Sequence, residues 1–167
     1  FIYISVATVI FAMLAFYAKT VSYFAFDLPI SLSLQSLQSP YTDLIFRTIS
    51  SPGYSPQIII ISSLIIVPLY YLGFRYESLT AAANAVITST IGIVLKNLIH
   101  RSRPPIELVQ VTKFLPDYSF PSGHVLFYTS FFGFIWFLSY VLLKKSIPKI
   151  ILLVILGLLI VLIAPSR

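Results

Sequence analysis

The chain contains no cysteine. Disulfides and thiolate metal sites are thereby excluded, while the redox compartment stays open. Charge is scarce too: 10% of the 167 residues are Asp, Glu, Lys or Arg, against roughly a quarter in a soluble domain. The five carboxylates, Asp27, Asp43, Glu77, Glu107 and Asp117, stand singly. They show no metal-ligand spacing, which argues against a two-metal hydrolase. There is no glycine-rich phosphate loop and no serine nucleophile elbow. Internal repeats and low-complexity tracts are also missing. No metal or other cofactor is expected.

What the chain has in excess is apolar surface. Hydrophobic residues make up 58% of it, and the mean hydropathy is +0.96. One small core cannot bury that much, so lipid is the expected solvent and residues 1–167 are read as a single membrane domain. A spanning helix takes about 20 predominantly apolar residues. Five segments meet or approach that length: 1–18, 57–74, 79–99, 123–143 and 147–164. The expected fold is an all-α polytopic transmembrane bundle with short interfacial helices after the first span.

Those short helices are read between Lys19 and Ser55. Asp27 before Leu28-Pro29, and Ser39 before Pro40, mark helix starts. Leu34, Leu37, Tyr41, Leu44 and Ile45 share one apolar stripe, away from Gln35, Gln38, Asp43 and Arg47. An extramembrane loop packed on the bundle is an equal alternative. Residues 50–56 read as a turn, and Arg75–Ser78 and Lys144–Ser146 as short connections. The chain begins at Phe1 inside an apolar run and shows no secretory leader in 1–18. It is therefore expected to be incomplete at both ends.

Two clusters put charge at the ends of apolar helices. Lys96 and Arg103 stand seven residues apart, closed by Pro104. If the third span runs as helix to Arg103, that spacing returns to nearly one face. An ammonium and a guanidinium there suit a phosphoryl group. The alternative is ordinary basic residues at a helix C-terminus, where the macrodipole favours cations. Arg101 and Lys113 are read as solvated interfacial charges, and His100 as a helix-end histidine without a role.

The second cluster is Pro121-Ser122-Gly123-His124, which opens the next apolar run. Ser122 can cap a helix whose free first-turn N–H groups bind an anion. Gly123 permits close backbone approach to an oxygen ligand. His124 then sits where it can protonate a leaving oxygen. A capping serine followed by a structural histidine remains open. With alternating crossings, Lys96–Arg103, His124 and Arg167 fall on one membrane face.

The order Lys, six residues, Arg-Pro, then Pro-Ser-Gly-His, then Ser-Arg after another span, resembles the type 2 phosphatidic acid phosphatase (PAP2) superfamily of membrane lipid phosphatases. The resemblance implies six spans, of which the sixth is missing here. It implies that Lys96, Arg103, Ser122, the Gly123 backbone and Arg167 hold the phosphate while His124 acts as acid. It also implies a phospho-histidine intermediate. The nucleophilic His and its orienting Asp would follow Ser166-Arg167, so the 167 residues alone are expected to bind phosphate poorly and turn over nothing.

The activity so implied is metal-independent hydrolysis of a lipid phosphate monoester or diphosphate. Phosphatidic acid, phosphatidylglycerol phosphate, undecaprenyl diphosphate and a lipid A phosphate present the same head group. Alternatives are a lipid phosphotransferase of the same superfamily, a catalytically dead phosphate-binding relative, or a transporter. The last would need basic residues along a path to both faces. The partners expected are a lipid phosphate and the bilayer. Nucleic acid is not expected, although the net charge is +6, because the basic residues flank spans rather than one soluble face.

Charge alone leaves the orientation open. Seven basic residues (Lys19, Arg47, Lys96, Arg101, Arg103, Lys113 and Arg167) share the site face, against Arg75, Lys144, Lys145 and Lys149 opposite. Setting aside Lys96, Arg103 and Arg167 as ligands equalises the two faces. The resemblance then favours a bacterial inner membrane with the site on its outer face.

Overall fold

Short polar side chains open the helices between Lys19 and Ser55. The computed structural model describes residues 2–21, 24, 27–36, 39–103 and 118–166; Leu37, Pro104, Lys113 and Arg167 lie outside them. Helix α1 spans Ile2–Thr20, α2 Asp27–Ser36 and α3 Pro40–Ser50. The Asp27 carboxylate accepts the Phe24 N–H at 3.0 Å where α2 begins. Ser39 caps α3 through a capping box: its Oγ accepts from Thr42 N–H, and Thr42 Oγ1 accepts from Ser39 N–H. Pro40 supplies a helical φ in the first turn without wasting an N–H. The two short helices expected from these starts are present, and the Ser39 cap separates Leu34 on α2 from the apolar positions of α3. Tyr41, Leu44 and Ile45 nevertheless share exposure on α3.

A 3₁₀ turn, Ser51–Gly53, leads into α4, Ser55–Tyr71, which is bent by 71° from the helix before it. Helix α4 stops in a Schellman motif. Gly73 takes φ +97°, and the Phe74 N–H reaches back to Leu69 O at 3.0 Å. Glycine enters this conformation without the steric penalty of a Cβ. Helix α5 then covers Arg75–Ile99. The connection is thus Leu72–Phe74, and Arg75–Ser78 form the first turn of α5 rather than the loop. Glu77 in that turn suits the positive end of the helix dipole.

The next helix is continuous from Gly123 to Leu142. It comprises α6, Gly123–Phe127, a π-helical turn, Tyr128–Phe132, and α7, Gly133–Leu142. Lys149 ends it: its ammonium donates to the carbonyls of Tyr140 and Leu143 at 2.6 and 2.7 Å. Cations are favoured at that helix pole. Helix α8, Ile147–Leu162, starts at the Ser146 cap.

The described residues form helices and turns, with no strand. Three of the helices are long and apolar enough to cross a bilayer: Ile2–Thr20, Arg75–Ile99 and Gly123–Leu142. Helix α4 passes the same test only together with the bent segment before it, and α8 has 16 residues. At that length α8 rises about 24 Å, short of a hydrocarbon core of roughly 30 Å.

The chain packs as two units, residues 1–38 with 93–121 and residues 39–92 with 122–167. In the first, α1 exposes apolar side chains all round and buries only Ala18. In the second, the helix Gly123–Leu142 is the core. Phe127, Tyr128, Phe131, Phe132, Ile135 and Leu138 are buried, with Leu156 and Ile163 from the chain's last turns and Ala81 from α5. Phe127 stacks on Phe131 at 5.1 Å, and Tyr128 meets Phe132 edge-on at 5.0 Å.

Several hydroxyl groups in these apolar helices are satisfied locally, whereas that of Ser62, buried in α4, is not. Thr80, Ser89, Thr90 and Ser139 each donate to the carbonyl four residues earlier. A longer-range chain joins α5 to the π turn. Thr88 Oγ1 donates to Ser130 Oγ at 2.8 Å, and Ser130 Oγ donates to Asn84 Oδ1 at 2.9 Å. Ser130→Ala removes the central member and strands the other two. It should lower unfolding stability in bilayers by about 1 kcal/mol, measured by steric trapping; an unchanged stability would show that the chain of hydroxyls is incidental.

Candidate functional site

The phosphate-binding candidates Lys96 and Arg103 belong to the first unit. Lys96 sits half-buried in the last turn of α5. The helix does not continue to Arg103. It ends at Ile99, and His100 adopts a left-handed backbone, φ 58°, while its N–H donates to Lys96 O at 3.0 Å. A left-handed residue terminates helices by bonding back to their last free carbonyls. Lys96 and Arg103 are therefore not two members of one helical stripe.

Beyond the turn, residues 101–103 run without helix and are held by Ser119. The Ser119 N–H donates to Arg101 O at 2.9 Å, and its hydroxyl reaches the carbonyls of Arg101 and Ser102 at 3.1 and 2.9 Å. The His100 imidazole packs on the Tyr118 ring, 4.6 Å between centroids. Phe120 stacks on Phe11 of α1 at 6.2 Å. Arg103 is half-buried at the end of this clasp.

Arg101 is not the solvated charge expected of it. Its guanidinium pairs with the Asp27 carboxylate and lies over the Phe24 ring at 4.4 Å. Only 12% of its side chain is exposed. The pair ties the start of α2 to the segment that carries Arg103. Nothing local could reveal it, because Asp27 lies 74 residues away.

Ser122, Gly123 and His124 belong to the second unit. Ser122 is the N-cap, with extended backbone, and its Oγ accepts from Val125 N–H at 3.4 Å. Gly123 opens the helix, and a methyl group built on it would meet nothing within 4 Å. Packing therefore does not demand glycine here, and the backbone is open to close approach. His124 follows as the second helical residue.

Its imidazole rests on the turn between α3 and α4. The Tyr54 ring meets it edge-on, 5.0 Å between centroids and 85° between planes. Gly53 is buried directly against it: a Cβ there would lie 2.2 Å from His124 Cδ2. The same turn reaches two further places. Tyr128, one helical turn after His124, donates its hydroxyl to Ile49 O. Ser50 donates to Ser166 Oγ at 3.0 Å, beside Arg167. Among the described residues no three of His, Asp and Glu gather as metal ligands would.

The model of the PAP2 superfamily matches residues 77–167, more than half of the chain. The chain belongs to the PAP2 superfamily. Its fold is also that of a solved structure, described as the first transmembrane PAP2-type phosphatidylglycerolphosphate phosphatase, from Bacillus subtilis. The two agree with a TM-score of 0.78 at 23% identity, over 96% of this chain and 79% of that one. At that identity the likeness is one of fold. Among curated proteins none matches the sequence significantly.

This PAP2 protein is thus an integral membrane protein with a phosphatase fold. The matched region holds Lys96, Arg103, Ser122, Gly123, His124 and Arg167, of which Arg167 is outside the described residues. Sequence patterns missed the pairing of Asp27 with Arg101, and that the turn read at residues 50–56 lies against His124. For the second, a glycine between Pro52 and Tyr54 was a visible signal without an address.

The Arg101–Asp27 pair should show coupling. Asp27→Ala and Arg101→Ala are each expected to destabilise by about 1–2 kcal/mol, intermediate between exposed and buried pairs. The double variant should cost clearly less than both together. Thermal unfolding of the four proteins in nanodiscs measures this, and simple additivity would mean that the two charges do not support each other.

Proposed function

We propose that this PAP2 protein is a metal-independent lipid phosphatase, with residues 1–167 forming one membrane domain. The substrate is a lipid phosphate monoester or diphosphate. Lys96, Arg103 and Arg167 hold its phosphoryl oxygens, together with the Ser122 hydroxyl and the Gly123 N–H. His124 is the general acid.

The observation that carries this reading is the start of the helix at Gly123. Ser122 caps it, and an open glycine backbone and an imidazole follow at once. Free first-turn N–H groups and the helix dipole favour an anion there. The family membership and the order of the motifs support the roles of Lys96 and Arg103.

Phosphoryl transfer asks a protein chiefly for positioning and charge stabilisation. Cations on the non-bridging oxygens stabilise charge as the P–O bond to the lipid breaks. The departing alkoxide is strongly basic, so a proton from His124 lowers that barrier. The phosphoryl group passes to a histidine nucleophile, as the family resemblance implies, and water then releases it as inorganic phosphate. The site is placed on the outer face of a bacterial inner membrane.

The test is phosphate release from a panel of lipid phosphates by the full-length protein in nanodiscs. Phosphatidylglycerol phosphate belongs in the panel, since the Bacillus subtilis protein of like fold is named for it. His124→Ala should lower kcat about 10²-fold or more. An unchanged kcat would return His124 to a purely structural role.

A further inference from the structure

We infer that the turn Ile49–Tyr54 is a positioning platform for the acid, with Gly53 and Tyr54 as positioning residues for the His124 imidazole. This rests on the proposed role of His124 and adds the device that orients it.

The identity of Gly53 has a specific physical cause. Among the described glycines only Gly73 has positive φ, so Gly53 is not present for backbone freedom. It is present for space. A Cβ at Gly53 would stand 2.2 Å from His124 Cδ2 and 2.8 Å from both Cγ and Nε2. Those atoms are the planar end of the His124 side chain, which can yield only by turning about its own torsions, so any side chain at position 53 must push the imidazole away. Tyr54 closes a second side of the ring at 5.0 Å. Gly53 behind it and Tyr54 at its edge thus occupy two sides of the imidazole.

The platform itself is anchored. The Tyr128 hydroxyl fixes the Ile49 carbonyl to the helix that bears His124. Ser50 is buried and bonds Ser166, whose position is fixed in turn by its bond to Ile163 O at 2.8 Å. Six consecutive positions, 49–54, thus meet the helix that bears His124 three times and Ser166 once. A group that delivers a proton to one oxygen must be held within about 0.5 Å of its working position, and a 1 Å displacement can cost 10²-fold in rate.

Leaving-group dependence separates positioning from general damage. A lipid alkyl phosphate needs the proton; an aryl phosphate with an acidic phenol as leaving group does not. In the full-length protein in nanodiscs, Gly53→Ala should lower kcat on the alkyl substrate by about 10–100-fold with KM within about threefold. On the aryl substrate the loss should shrink to a few-fold. Gly53→Ala combined with His124→Ala should be no slower than His124→Ala alone.

Tyr54→Phe, which keeps the ring, should retain activity, and Tyr54→Ala should repeat the leaving-group pattern. This pair serves if Gly53→Ala fails to fold. Normal kcat in Gly53→Ala and Tyr54→Ala beside a slow His124→Ala overturns the platform alone. Equal losses on both substrates overturn it as well. A normal kcat in His124→Ala overturns the acid role and the platform with it.

Discussion

In hydrocarbon, a backbone N–H or C=O left without a partner costs several kcal/mol, and a helix is the one local structure that satisfies nearly all of them. That constraint accounts for most of this chain. Several of its side-chain hydroxyls follow the same rule, as Thr80, Ser89, Thr90 and Ser139 bond back into their own helices. The charged side chains of the long described helices stand at their ends, as Lys19, Arg75, Glu77 and Lys96 do. Chemistry in such a protein is confined to those ends by the solvent before any question of substrate arises.

The helix ends differ in what they offer. The start at Gly123 carries a serine cap, an unobstructed backbone and an imidazole, which is the arrangement suited to an anion. The end of α5 carries Lys96 and then a left-handed turn at His100. The segment after it is sewn down by Ser119 and braced by Arg101 on Asp27. Each end is supported by a neighbouring short helix: α2 through Asp27 for one, α3 and its turn through Gly53 and Tyr54 for the other. The segment between Lys19 and Ser55 thus has a use beyond connecting two apolar helices.

Much of the architecture was legible because apolar runs and caps are local signals. Ser39-Pro40 and Ser122-Gly123 begin helices as their residue types require. The seven-residue spacing of Lys96 and Arg103 misled, since it presumes helix throughout. A left-handed His100 breaks that helix; histidine is among the few non-glycine types enriched in this conformation, a signal that the spacing argument passed over. Arg101 was misjudged for another reason: its partner is distant in sequence, and composition cannot distinguish a paired cation from a solvated one. Gly53 announced a turn but not the imidazole it faces. Family membership, which periodicity alone could not show, covers the region that holds these motifs.

The proposed function requires that Lys96, Arg103 and His124 serve one phosphoryl group. Orthovanadate, a phosphate analogue, tests it without turnover. In histidine-labelled full-length protein, the His124 resonance is assigned by its loss in His124→Ala and followed as vanadate is added. The account predicts a saturable shift of that resonance, with Lys96→Ala and Arg103→Ala each raising the vanadate Kd about tenfold or more, as loss of a charge-assisted hydrogen bond of 1.5–3 kcal/mol implies. Vanadate binding that leaves the His124 resonance unmoved, or that ignores both cation substitutions, would contradict it.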